Sequence, residues 1–190
     1  MQALLMQALS MKANGEPGPA PCPAPCPAPC RVETNWSVPR SHWAPADKDI
    51  QRWADLAIAA GQAAGQAADP QLASTQGLEI ALLLTDAAAI QQLNRDYRQQ
   101  DKPTNVLSFP MGSAIEDDCL LLGDLVMCPA VVEAEALAQG KQVTDHFMHL
   151  VIHGVLHLLG YDHIDAADAA IMEAMEIDLL ARLNVGNPYS

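Results

Sequence analysis

From Thr144 to Leu159 the chain reads TDHFMHLVIHGVLHLL. Leu150, Val151, Ile152, Val155, Leu156, Leu158 and Leu159 make a helix that is apolar nearly all round, which is the signature of a buried one. Such a helix needs cover on several sides, so the rest of the chain has to supply layers around it. Set into this apolar surface are His153 and His157, four residues apart and so stacked on one helical face, with about 5–6 Å between Cβ atoms. Gly160 follows at the point where a helix that must stop favours a residue able to take positive φ. Tyr161, Asp162 and His163 then turn the chain back and bring a third imidazole to the first two.

A lone histidine on such a face is more often a hydrogen-bonded core residue. Two at this spacing, a helix break and a third fit one zinc ion per chain, bound by His153, His157 and His163 with a fourth position open to water. No fourth protein ligand is evident nearby, so a closed structural site is not the expectation. Zinc held by three neutral imidazoles lowers the pKa of its water to about 7, or acts as a Lewis acid on a phosphoryl oxygen.

The helix starts near Thr144, and His146 and His149 on the same stripe read as ordinary interior or surface histidines. Upstream, Val32–Val38 is a first strand, and Asp47 to Gly65 is a helix with Ile50, Trp53 and Ala60 at helical spacing. A Gly/Ala/Gln-rich connection leads to Leu78–Leu84, an alternating strand. Thr85 is placed to cap the next helix, with Ile90, Leu93 and Tyr97 as its core stripe, and Pro103 bars its continuation. Val106–Phe109 is a short strand, Pro110–Asp118 a loop, and Leu120–Met127 an apolar strand kinked at Gly123. Pro129 opens a helix to about Gln139 that Gly140 breaks. Asp165 caps a final helix with Met172, Met175, Leu179 and Leu183 inward, stopped at Asn184–Gly186. The acidic residues Asp162, Asp165, Asp168, Glu173, Glu176 and Asp178 read as a solvated helix face. The order predicts an α+β fold, an α/β sandwich: a small mixed sheet of about four strands packed with about five helices, the zinc site at the end of the central buried helix.

Residues 1–30 read as a separate low-complexity extension, with PAPC three times between Pro19 and Cys30, and residues 31–190 as a single domain. Proline at that density gives polyproline II or disorder, and a four-residue period on a three-residue turn rotates each cysteine by about 120° from the last, so the three share no face. Met6 and Met11 leave open a physiological start later than Met1. Cys119 and Cys128 sit in apolar surroundings as free thiols. No signal-like amino end and no membrane-length apolar run are present, which points to the cytoplasm and away from a membrane. A net charge of −13 argues against broad nucleic-acid binding, so any such contact needs a local basic patch or a bound cation. Arg95, Arg98 and Lys102 are the cations closest to being such a patch; as a helix end they also complement its dipole.

Three blocks, NRDYRQQDKPTNVLSFP (Asn94–Pro110), LLGDLVMCP (Leu121–Pro129) and HGVLHLLGYDHI (His153–Ile164), together resemble the YbeY family of bacterial endoribonucleases and ribosomal-RNA maturation factors. The likeness covers about Leu78 to Leu183 and weakens back to Asp47; the first 30 residues do not share it. It implies a zinc-dependent hydrolase cutting single-stranded RNA, in maturation of ribosomal RNA ends and in ribosome quality control. It places the zinc on His153, His157 and His163 and a functional arginine at Arg98. It further implies a small-subunit ribosomal protein and an Era-type GTPase as partners, with no DNA.

On this reading Arg98 is the catalytic and RNA-binding cation, offering a planar fork to the charge that develops on phosphorus, and Lys102 holds a flanking phosphate. Asp162 either orients a ligand imidazole or bonds local backbone in a turn. Two rivals stand beside it. The histidine spacing is that of metzincin proteases, but these carry a glutamate base after the first histidine, where this chain has Gly154. The other rival is a non-catalytic ribosome assembly factor whose zinc only stiffens the fold.

Overall fold

A computed structural model describes residues 30–64, 77–111, 115–116 and 119–190. The expected extension at residues 1–29 and the connection at 65–76 lie outside the described residues. Strand β1 (Cys30–Trp36) is followed by helix α1 (Asp47–Ala63), β2 (Gly77–Leu84), α2 (Ala87–Arg98), β3 (Val106–Pro110), the two-residue β4 (Ile115–Glu116) and β5 (Cys119–Met127). Helices α3 (Pro129–Gln139), α4 (Val143–Leu158) and α5 (Ala166–Arg182) complete the order. The sheet runs β1-β2-β5-β3, with β4 paired to β5. β1, β2 and β5 are parallel, and β3 and β4 run antiparallel to β5. This is the mixed-sheet α+β fold expected from the sequence. The first strand begins at Cys30, one residue inside the expected extension, where Cys30 pairs with Leu78.

The sheet separates two apolar layers. Leu78, Ile80, Leu82 and Leu84 of β2 face the larger one, where α1, α4 and α5 pack. The smaller layer joins α2 to the other face through Ile90, Leu107, Val126 and Cys128. β5 does not alternate simply: Leu120 and Leu122 face the large core, and so do Leu125 and Met127. The parity changes because the register slips, Glu79 opposing Leu121 while Ile80 opposes Gly123. One extra residue in a strand flips all side chains beyond it. Gly123 permits the slip with φ +141°, and a Cβ there would stand 2.2 Å from the Phe109 carbonyl oxygen.

Helix α4 crosses this core against α1, β3 and β5. Phe147 and Ile152 are fully buried, each side chain worth about 1.5–3 kcal/mol of burial. Gly154 is buried where α4 meets the sheet; a Cβ there would lie 2.8 Å from Leu125 and 3.4 Å from the Ser108 hydroxyl. The α4 start differs slightly from expectation: Gln142 is the N-cap and makes no side-chain cap bond. Likewise Asp86, not Thr85, caps α2, its carboxylate accepting from Ala89 N–H at 2.8 Å, while Thr85 is buried and donates its N–H to Met127. Among the described residues no helix is long and apolar enough to cross a membrane.

Candidate metal centre

Helix α4 ends in a left-handed turn. Gly160 has φ +93°, Tyr161 N–H reaches back to the Leu156 carbonyl and Gly160 N–H to that of His157, which is the Schellman pattern. The turn drives the Tyr161 ring into the core, where its hydroxyl donates to the Gly61 carbonyl of α1 at 2.8 Å. The Tyr161 carbonyl meanwhile accepts from His157 Nδ1 at 2.9 Å. A carbonyl only accepts, so the His157 proton sits on Nδ1 and Nε2 carries a lone pair. Burial first, then the rings of His153 and His163, push the His157 pKa down to about 4, which leaves the ring neutral near pH 7.

His153 is fixed in the same sense from a different element. Its Nδ1 lies 2.8 Å from Glu176 Oε1 of α5, and His149 Nε2 lies 2.7 Å from Glu176 Oε2. Glu176 is fully buried. Burial alone would raise its pKa, but the hydrogen bonds from His149 and His153 outweigh that and hold it at about 2. An ionised carboxylate only accepts, so His153 donates from Nδ1, and in the neutral ring that metal ligation requires the lone pair is on Nε2. The Nε2 atoms of His153 and His157 stand 3.1 Å apart. Two lone pairs facing one another repel; a cation between them turns that repulsion into ligation. Nitrogens each about 2.0–2.1 Å from a tetrahedral zinc stand about 3.3–3.4 Å apart, close to the observed spacing. His163 joins them, one ligand atom from each ring lying within 4.8 Å of the others. This donor set fits a zinc ion.

The three imidazoles open on a cleft of about 280 Å³ that Arg98, Lys102 and Ser108 also line. Arg98 lies at the end of α2, which closes on Gln99 in the left-handed region, φ +58°. The loop beyond is pinned by Asn94 Nδ2 donating to the Lys102 carbonyl at 2.8 Å and Gln91 donating to Asp101 at 2.9 Å. Arg95 is neutralised by Asp96 and Asp101 at 3.7 and 3.5 Å. Among the described residues Arg98 makes no ion pair; it donates only a long 3.5 Å bond to the Ser108 carbonyl, at the edge of hydrogen-bond range. Of the three expected cations, Arg98 and Lys102 line the cleft, and among the described residues neither makes an ion pair.

Other residues behave differently from their sequence reading. Asp162 accepts from the His163 backbone N–H at 2.7 Å, the local turn bond rather than an imidazole contact. The carboxylate that orients a ring of the cluster is Glu176, read from sequence as part of a solvated face. Its position four residues after Met172 and three before Leu179, both buried, is the periodic signal that places it inward. His149 is its second imidazole partner, and His146 pairs with Glu135 at 3.0 Å. Gly154, where a protease would carry its base, lies against Leu125, whose side chain would have to shift to admit any larger residue.

Comparison with known proteins adds to this geometry. A family model described as Endoribonuclease YbeY matches residues 45–184. A protein of Pseudoalteromonas translucida named Endoribonuclease YbeY is 47% identical over 145 residues, 76% of this chain and 87% of that one. A relative of the same name from Alkalilimnicola ehrlichii is 46% identical over 160 residues, 83% of this chain and 90% of that one. The solution structure of TM1509 from Thermotoga maritima is similar at 21% identity and a TM-score of 0.49, covering 81% of this chain and 92% of that one.

Proposed function

The chain belongs to the Endoribonuclease YbeY family, and from that premise we propose that it is a zinc-dependent endoribonuclease specific for single strands, acting in ribosomal RNA maturation and ribosome quality control in the cytoplasm. The observation that carries this reading is the opening of three imidazoles and two cations, Arg98 and Lys102, on one cleft. His153, His157 and His163 are the proposed ligands of one zinc per chain. When bound there, zinc supplies Lewis-acid activation of water or of a phosphoryl oxygen.

The chain's own residues do the rest. Nδ1 bonds from His153 and His157 hold both rings with their Nε2 atoms toward one another, where they would hold the ion. Arg98 is the catalytic and RNA-binding cation. Its loosely held guanidinium swings onto the scissile phosphate and meets two oxygens through parallel N–H groups as negative charge grows there. Lys102 holds the next phosphate along the strand. The pinned loop under it keeps both cations at a fixed reach from the metal ligands, the positioning that a 1 Å error would spoil.

On the same resemblance, a small-subunit ribosomal protein and an Era-type GTPase are the proposed protein partners. Residues 31–190 are proposed to be the catalytic domain and residues 1–30 an appended segment. Metal analysis paired with cleavage assays on a single-stranded RNA and on a peptide tests the reading. Wild type should bind zinc and cut the RNA alone. His157→Ala should lose the zinc, while Arg98→Ala should keep zinc and fold and cut RNA about 10²–10³-fold more slowly, the usual cost of removing one charge-stabilising donor. Equal cleavage by wild type and Arg98→Ala would remove that residue from the mechanism.

A further inference from the structure

Behind the imidazole cluster, three donors converge on one buried carboxylate. Glu176 Oε1 faces His153 Nδ1 at 2.8 Å, Oε2 faces His149 Nε2 at 2.7 Å, and the Tyr189 hydroxyl also donates to Oε2. Tyr189 lies in the tail after α5, beyond the residues 45–184 that the family match covers. The tail is seated by its own bonds: Lys141 Nζ donates to the Pro188 carbonyl at 2.5 Å, and Tyr189 N–H donates to Asn187 Oδ1 at 2.8 Å. The Tyr189 ring meets His149 edge-on, centroids 5.7 Å apart.

We propose that Glu176 and Tyr189 are a positioning pair for His153, setting its ring orientation and its tautomer, so that the tail is part of the support of the metal centre. The proposal rests on the zinc reading above. Its logic is a count of acceptors. His149 and His153 each present a proton, and each needs its own carboxylate oxygen. The Tyr189 hydroxyl, a donor to Oε2, fixes the rotation of the carboxylate and so the direction from which Oε1 meets His153. With Nδ1 held in this way, His153 offers Nε2 to the metal; with that hold gone, the proton is free to sit on Nε2 and block ligation.

Two variants test this. Glu176→Gln keeps the shape but offers a single acceptor oxygen, so it cannot accept from both imidazoles at once. Tyr189→Phe keeps the ring on His149 and removes only the hydroxyl, at a side chain half exposed to solvent. The first readout is the His153 tautomer in metal-free protein, by nitrogen-15 imidazole spectra. The second is zinc affinity by competition with a chromophoric chelator. Wild type should show a proton on Nδ1 alone. Glu176→Gln should mix the tautomers and weaken zinc about 10–100-fold. Tyr189→Phe should weaken zinc about two- to tenfold, the scale of one hydrogen bond, with a shifted Nδ1 signal. Either variant matching wild type in both readouts overturns the proposal. Wild type binding no zinc defeats the metal reading instead, and the tautomer comparison still decides this one.

Discussion

At the scale of single residues, the chemistry lies in which atom of each ring carries the proton. His157 bonds through Nδ1 to a carbonyl and has a folded pKa near 4 against an ordinary 6.5. In zinc-free protein the unfolded chain therefore binds more protons than the folded one between those values, so stability falls as acid is added through that window. We expect the thermal midpoint of zinc-free protein to be level above about pH 6.5, to drop between 6.5 and 4, and to drop less in His157→Ala. A midpoint insensitive to pH across that window would contradict the assigned protonation. The grouping of the three histidines was legible in the sequence from their spacing, and Arg98, singled out there by family resemblance, lines the same cleft. Glu176 was hidden: a carboxylate on a helix rich in acids looks solvated until another element supplies the two imidazoles that bury it. Asp162, beside His163 in sequence, had the better claim on paper and spends its oxygen on a turn.

At the scale of elements, hydrophobic period told most of the story. The 3.6-residue stripes of α1 and α5 and the alternation of β2 placed those elements within a few residues. LLLGDLVM of β5 was legible as a kinked strand, but its facing was not, because the slip at Gly123 changes its parity midway. That slip keeps Leu125 against Gly154 and so sets the height of α4 over the sheet. Gly123→Ala should therefore destabilise the protein by about 3 kcal/mol, from a left-handed backbone conformation and overpacking against Phe109. Urea unfolding measures this; a midpoint unmoved by the substitution would mean that the strand does not need its glycine. Thr85 and Asp86 show the limit of cap reading: both residues suit the role, and the sheet decides by burying Thr85.

For the molecule as a whole, a net charge of −13 leaves few cations for a polyanion. With Arg98 and Lys102 the two cations that line the cleft among the described residues, single-stranded RNA binding should show a shallow salt dependence. The expected slope of log affinity against log salt is about −1.4, at about 0.7 per neutralised phosphate. Lys102→Ala should reduce it by about 0.7; a slope of −4 or steeper would reveal a larger basic track than this cleft holds. The topology carries one more consequence. The Tyr161 hydroxyl grips Gly61, a hundred positions earlier, and the same residue's carbonyl steers His157. Under the proposed function, ion capture would thereby depend on Tyr161 being docked on the distant α1. A polypeptide still missing either partner would hold its imidazoles out of line, so that the proposed uptake of metal would wait on the docking of this turn.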